Sequence, residues 1–389
     1  LMLVGVQAAL SGALLVASVG FVSSFRRATS FDLGYDMQGV LVGRVSLFSA
    51  GYSQLESRQF YLRAHERIRT LPGVVSASLG YTGPWNNNRN EAMHEPGRDS
   101  LPTAPLFGAP NFDAVTPDYL ATMGLRLQVG RWIEESDGAG NAPIMVVNEA
   151  LTKLYWPGQP ALGRCLRIGN ESMPCRTIVG VVANHRFTGG LEDDPVAGYF
   201  LPLAQSDAYT FTPQLFVQVR GDPLALVSEL RRQLQGMAPN LPAATVFPLA
   251  SNFEPLIASW RLGAMAFSGF GIVAGLVAMV GLFSVLAYLV TERTREFAIR
   301  SALGAQPAQV ARPVIRQGVM VTATGLAAGL GLTAFAARWL QPMLFQTKLT
   351  DPLAVGSVCA ALLAMAFLAS LGPARRAAGK DPMEALRSQ

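Results

Sequence analysis

The chain has 389 residues, half of them hydrophobic and only 15% charged, with a mean hydropathy of +0.29. That balance is too apolar for an ordinary soluble protein and too polar for a bare bundle of membrane spans, so the polar residues must be segregated. The net charge is +5 and the pI about 9.3. No basic patch interleaved with aromatics accompanies it, so the excess reads as membrane topology and lipid-headgroup contact, with no nucleic-acid partner.

A hydropathy window of about 19 residues finds candidate spans over 1–22, 263–290, 318–339 and 352–371. The first begins at residue 1 with neither an initiator Met nor a basic flank, as a fragment or a processed piece would. A cleaved signal peptide competes with that reading, but the apolar run is long and no small-x-small site precedes the polar block. Arg26 and Arg27 follow the first span. The block from 28 to 260 has ordinary globular composition.

That block reads as mixed α/β. The run 40–47 predicts a strand. Ser53 and Glu56 form the S-x-x-E signature that opens a helix, with Phe60, Ala64 and Ile68 on one face. Pro72-Gly73 stops it, and 74–79 predicts the next strand. Residues 81–110, rich in Pro, Gly and Asn, predict a long loop or an insertion between subdomains. Thr116-Pro117 starts a short helix that Gly124 ends. A strand over 144–147 leads to Asn148, placed to cap the helix EALTKLY. Strands follow over 176–182 and 215–219, then a helix opened by Asp222-Pro223, then a strand over 245–249. This order predicts two or more βαβ-like units on one face of a sheet.

Cys165 and Cys175 bracket LRIGNESMP, where Gly169-Asn170 forms a turn between strand-like runs, so a bridge across the hairpin is expected. Two free thiols are the alternative. The three histidines, His65, His94 and His185, show no ligand spacing to these thiols, so no metal is expected. Cys359 lies in a span and packs there. The second and fourth spans carry no ionisable residue, unlike channels and proton-coupled carriers. Gly271 with Gly275, and Gly325 with Gly329, form small-x-x-x-small faces for helix packing. No H-E-x-x-H or phosphate-binding G-x-x-x-x-G-K-[ST] sequence occurs, and no nucleophile triad can be assembled. The chain does not read as an enzyme.

Between the second and third spans lies TERTREFAIRSALGAQPAQVARP, 291–313. There Arg293, Arg295, Arg300 and Arg312 face only Glu292 and Glu296. A short basic connector reads as cytoplasmic by the positive-inside bias, as does the tail with Arg375, Arg376 and Lys380. With four spans these two share a side, and the block 28–260 lies on the other. Ile299, Ala302 and Leu303 fall at i, i+3, i+4, and Gly304 is placed to end a short amphipathic helix. Such a helix suits a soluble partner; a solvated topogenic loop is the plainer reading.

Three motifs give the chain a family resemblance. The segment ERTREFAIRSALGA, 292–305, resembles the R-x-x-E-I-G-I-R-x-A-L-G-A coupling segment of MacB/FtsX-type ABC transporter permeases. PARRAA from Pro373, with DPMEALR from Asp381, resembles that family's C-terminal ending. VTPDYL from Val115, VNEA from Val147 and YWPGQPALG from Tyr155 resemble the MacB-type periplasmic core domain. The likeness covers essentially the whole chain; Phe297-Ala298 departs from the usual Ile-Gly. The opening span, containing Gln7 and running into SFRR at Ser24, resembles the second half of long duplicated permeases of the acidobacterial type.

The resemblance implies a membrane protein with four transmembrane α-helices and a large mixed α/β periplasmic domain inserted between the first and second. Helix 1 would cover 1–25, the periplasmic domain 26–260, helix 2 261–290, a cytoplasmic coupling segment 291–312 and helix 3 313–339. A periplasmic loop 340–351, helix 4 over 352–372 and a cytoplasmic tail 373–389 would follow. It implies no cofactor in this chain; ATP would be bound by a MacB-type ATPase subunit. That subunit would contact Arg295, Glu296, Phe297, Ile299, Arg300, Leu303 and Gly304. Further implied partners are a second permease domain or protomer, a periplasmic adaptor, an outer-membrane channel and membrane lipids. The implied role is mechanotransmission for efflux from the bacterial inner membrane. An FtsX-like scaffold regulating a periplasmic hydrolase, or an enzyme seated in the outer domain, are the rival readings.

Overall fold

The computed structural model describes residues 2–84, 89–105, 108–187, 195–206, 213–239, 243–293, 296, 299–300 and 306–378. Elements are numbered in chain order within these residues. The chain divides into two compact units, Leu1–Phe31 with Ile257–Gln389, and Asp32–Leu256.

The unit Asp32–Leu256 starts with β1 (Val40–Arg44), α2 (Gln54–Ile68) and β2 (Val74–Gly80). Helix α2 begins where the sequence predicts. The Ser53 N–H donates to Glu56 Oε2 at 2.8 Å and Glu56 N–H donates to Ser53 Oγ at 3.3 Å, so two otherwise orphaned donors are satisfied reciprocally. Much later the chain returns as β10 (Gln214–Val219), α5 (Pro223–Met237) and β11 (Thr245–Pro248). These strands run in the order β11-β1-β10-β2, every neighbouring pair antiparallel. Strand β10 therefore sits between β1 and β2, a ferredoxin-like split β-α-β arrangement. Phe60 and Ile68 of α2 and Leu230 and Leu234 of α5 pack with Leu41, Leu79 and Leu215 in one core, all at most 2% exposed. Each such side chain contributes about 1.5–3 kcal/mol of burial free energy.

The stretch between β2 and β10 forms the other half. It contains β3 (Met93–His94), β4 (Asn111–Val115), α3 (Tyr119–Met123), β5 (Leu127–Gly130), β6 (Ile144–Asn148), α4 (Glu149–Tyr155), β7 (Cys165–Ile168), β8 (Arg176–Val182) and β9 (Gly198–Pro202). The sheet continues from β2 through β4-β9-β6-β8-β7-β3, with β5 also paired to β8. Strands β4 and β9 are parallel, as are β6 and β8. The expectation of repeated βαβ units thus holds for β6-α4-β8 only; the other half interleaves β10 into its β-α-β. Asn148 is the hinge of the parallel unit. Its Oδ1 accepts the Leu151 N–H that caps α4 at 2.9 Å and the Gly198 N–H at 3.0 Å, while Nδ2 donates to Val196 O at 2.8 Å. One side chain therefore starts the helix and ties β9 to β6.

The other unit is helical: α1 (Met2–Thr29), α6 (Glu254–Glu292), α7 (Pro307–Leu340) and α8 (Pro352–Ala378), all four long and apolar enough to cross a membrane. Helix α6 has 39 residues, so at about 1.5 Å per residue it far exceeds a hydrocarbon thickness of about 30 Å. Helix α7 starts at Pro307, ahead of the expected 313. Pro307 is tolerated in the first turn, where its missing N–H would be unpaired anyway, and Pro313 falls inside the helix. Phe21 of α1 stacks on Phe267 of α6 with ring centroids 4.8 Å apart, and Val16, Leu326 and Leu362 join α1, α7 and α8.

Where β2 meets β4, the carboxylate of Asp113 accepts the N–H groups of Tyr81, Thr82 and Gly83 at 2.7, 2.9 and 3.0 Å. The Tyr119 hydroxyl donates to it at 3.4 Å. Burial pushes the Asp113 carboxyl up to about 6 against the pull of those donors. His185, enclosed by Tyr35, Phe187 and Phe200, is pushed down to about 4 by the same loss of solvent. The signs oppose. Between pH 6 and 4 the folded chain takes up a proton on Asp113, which favours folding as pH falls. The unfolded chain takes one up on histidine, which disfavours it. Asp113→Asn is expected to lose stability more steeply than the parent on going from pH 7 to 4.5. His185→Phe should lose it less steeply, each difference on the order of 2 kcal/mol. Denaturant midpoints measured across that range check both.

Candidate functional site

The polar end of the helical unit gathers the residues that the motif analysis picks out, as far as they are described. Helix α6 closes at Glu292. Beyond it Glu296, Ile299 and Arg300 are helical. Arg300 Nη2 lies 2.6 Å from Glu296 Oε1, one turn back, with both side chains about half exposed, at 49% and 46%. An exposed pair of this spacing contributes only about 0.3–0.5 kcal/mol, so it orders the turn more than it stabilises the protein. Ile299 shows 47% of its surface. Arg295, Phe297, Leu303 and Gly304 lie outside the described residues.

Helix α7 then opens with Gln306, whose N–H donates to Gln309 Oε1 at 3.1 Å in a Gln-Gln version of the capping box. Its first turns carry Arg312 and Arg316 four residues apart, on one face. Together with Arg293 and Arg300 they line a cleft of about 820 Å³ shared with Glu296. Its inner wall is apolar, with Leu286 and Val290 of α6 facing Val314 of α7. Arg312 and Arg316 both fall beyond the coupling motif, and Arg316 falls beyond the basic connector 291–313 as well. Its spacing from Arg312 was the available signal.

The glycine pairs divide. A Cβ on Gly325 would stand 2.6 Å from Gly5 O, and one on Gly329 3.0 Å from Ala9 Cα, so α7 meets the backbone of α1. A Cβ on Gly271 would press on the tip of Leu15 at 2.9 Å, with the Leu15 Cα in ordinary contact at 3.7 Å, and one on Gly275 would touch the tip of Met365 at 3.4 Å. In the Asp32–Leu256 unit, Cys165 and Cys175 stand with Cα atoms 5.6 Å apart and their sulfurs joined, beside the antiparallel pair β7–β8. Among the described residues no group of three His, Cys, Asp or Glu side chains is placed to hold a metal ion.

Residues 8–236 match the model of the MacB-like periplasmic core domain and residues 268–382 that of the FtsX-like permease C-terminal region. The chain belongs to the MacB/FtsX-type family of ABC transporter permeases. It is a multi-pass membrane protein in which a mixed α/β periplasmic core domain separates the first transmembrane helix from the other three. The family is one of transporter permeases, generally without catalysis of their own. A macrolide export ATP-binding/permease protein MacB of Neisseria meningitidis is 22% identical over 385 residues, 95% of this chain and 56% of that protein. A probable export ATP-binding/permease protein of Pseudomonas fluorescens is 26% identical over 286 residues, 70% of this chain and 42% of that protein. The chain spans about half the length of the curated relatives it matches. The crystal structure of the periplasmic region of MacB from Actinobacillus actinomycetemcomitans aligns with a TM-score of 0.41 at 10% identity, over 59% of this chain and 97% of that one.

Two substitutions test the packing. Gly329→Ala places a methyl group against the α1 backbone, whereas a Cβ on Gly331 meets nothing within 4 Å. The first is expected to lower the melting temperature of the detergent-solubilised chain. The second should leave it unchanged or raise it, since Ala is favoured over Gly in a helix by about 1 kcal/mol. Replacing Cys165 and Cys175 by Ser opens the bridged loop and is expected to cost about 2–3 kcal/mol. Thiol counting with and without reductant, alongside the melting temperature, checks that.

Proposed function

We propose that this chain is the permease subunit of an ABC exporter in the bacterial inner membrane, driven by a separate MacB-type ATPase that binds ATP. The observation that carries this reading is the exposed turn Glu296–Arg300, which offers an ordered ion pair and the half-exposed Ile299 to a soluble partner. Its basic surroundings put it on the cytoplasmic side by the positive-inside bias. Arg295, Phe297, Leu303 and Gly304 complete the contact in this reading. Closure of the ATPase pushes on the turn, and the push travels along α6. That helix is continuous from Glu254 to Glu292 and leads straight out of the periplasmic domain's chain. The role is mechanical transmission, and the export names of the relatives favour efflux as its outcome.

Helix α6 buries only 17% of its most apolar window against the rest of the chain, compared with 50% for α1. That exposure supports a second permease domain or protomer packed along α6. A periplasmic adaptor and an outer-membrane channel complete the assembly in this reading, and the oxidising periplasm keeps Cys165 and Cys175 bridged.

Co-purification with the candidate ATPase tests the core of the proposal. The parent chain is expected to retain the ATPase and stimulate its turnover. Arg295→Glu and Leu303→Asp should each weaken retention about tenfold or more, a loss of at least ~1.4 kcal/mol, and abolish stimulation. Unchanged binding and turnover in both variants would reduce the connector to a topogenic loop.

A further inference from the structure

The cleft at the connector has an electrostatic imbalance that ATPase contact leaves unused. Arg293, Arg300, Arg312 and Arg316 line it against one carboxylate, Glu296, and that carboxylate is taken by Arg300 at 2.6 Å. The other three guanidinium groups have no ion-pair partner among the described residues. Like charges four residues apart on a helix repel weakly, as Arg312 and Arg316 do, so an anion between them would relieve a small cost and gain several guanidinium contacts at once. A guanidinium presents paired donors that match phosphate oxygens, and it does so on a weakly hydrated plane suited to a half-apolar site.

The rest of the lining narrows the chemistry. Behind the cationic mouth Leu286, Val290 and Val314 are buried against one another, and the apolar surface left open is Pro313 and Met320, with Leu289 and Val321 half-buried beside them. An inorganic anion would satisfy the mouth and leave the exposed Pro313 and Met320 and the half-buried Leu289 and Val321 in water. A phosphodiester carrying acyl chains satisfies both. The cleft also lies at the ends of two membrane-crossing helices, where headgroups meet protein, and its volume of about 820 Å³ admits a headgroup with the first stretch of a chain. We propose that this cleft binds an anionic phospholipid, with its phosphate held between Arg293, Arg312 and Arg316 and an acyl chain laid on Met320 and Val321. The polar side chains of Gln309 and Gln317 on the same lining are placed to serve headgroup hydroxyls.

The full chain, without any ATPase, is tested in phosphatidylcholine nanodiscs with and without phosphatidylglycerol, and in detergent with inorganic phosphate. Native mass spectrometry reads retained lipid and a thermal ramp reads stability. Phosphatidylglycerol is expected to be retained selectively and to raise the melting temperature. Arg312→Gln with Arg316→Gln should weaken that retention on the order of tenfold. A control losing the same charge from the outer domain, Arg63→Gln with Arg231→Gln, should retain it like the parent. Retention ratios are taken within the folded population, so a stability loss in the double variant does not mask the result. Equal retention in the double variant and the parent would overturn the proposal, as would an equal loss in the control. An equal stabilisation by inorganic phosphate alone would assign the guanidiniums to a free anion and overturn the lipid reading. None of these outcomes depends on whether an ATPase docks at Glu296–Arg300.

Discussion

The hydrocarbon of a bilayer offers no hydrogen bonds, so each crossing segment must satisfy its own backbone polar groups, and a helix is the way a single segment does so. Much of the architecture follows from that constraint. Helices α1, α6, α7 and α8 are straightforward consequences of long apolar runs. The sheet, whose strands need partners from distant parts of the chain, is confined to the unit outside them. The chain passes from one unit to the other twice, after α1 and in the first turn of α6. Both are continuous helices, α1 over 28 residues and α6 over 39. A helix transmits displacement because each of its turns is bonded to the next.

Within the periplasmic domain, what could be read from sequence was what local chemistry decides. Ser53 and Asn148 sit immediately before their helices and Glu56 in the first turn of α2, and their side chains close bonds with backbone three residues away. Gly124 ends α3 in the left-handed conformation that glycine adopts without strain. The strands β4, β5 and β9 were not legible. Asn111–Val115 and Gly198–Pro202 are buried along their whole length, so they show no alternation of polar and apolar residues, and each contains residues that normally disfavour strands. What makes them strands is a partner: β4 and β9 pair with each other in parallel, across some eighty residues of sequence. The insertion of β10 between β1 and β2 is equally non-local, which is why a plain βαβ order is the natural guess from sequence.

The glycines of the membrane helices show how spacing and consequence separate. Both small-x-x-x-small pairs have the same pattern in sequence. Only Gly325 and Gly329 bring one helix backbone against another, because the facing residues on α1 are themselves small, Gly5, Ala8 and Ala9. Gly271 and Gly275 face Leu15 and Met365, whose flexible ends can move aside. Without a hydrophobic drive inside lipid, helix contact rests on close packing, so the pair that permits backbone approach fixes the α1–α7 crossing. The motif is a property of two surfaces, and one sequence segment displays only one of them.

Charge is distributed by the same logic of partners. In the periplasmic domain the shielded carboxylates are answered from within: Glu95 receives the Trp156 indole N–H at 2.9 Å and Arg164 at 3.2 Å, and Asp137 takes both ends of the Arg131 guanidinium at 2.7 and 2.8 Å. Taking a charge out of water is costly unless a partner replaces the water, so a domain that folds around such groups must supply the partner itself. At the connector the opposite holds among the described residues, with three arginines around one cleft and no carboxylate for them. These groups remain solvated and cost the fold little. Their arrangement therefore does not follow from the demands of folding, and that is the ground for the proposals of a protein partner beside Arg300 and of an anionic lipid in the cleft.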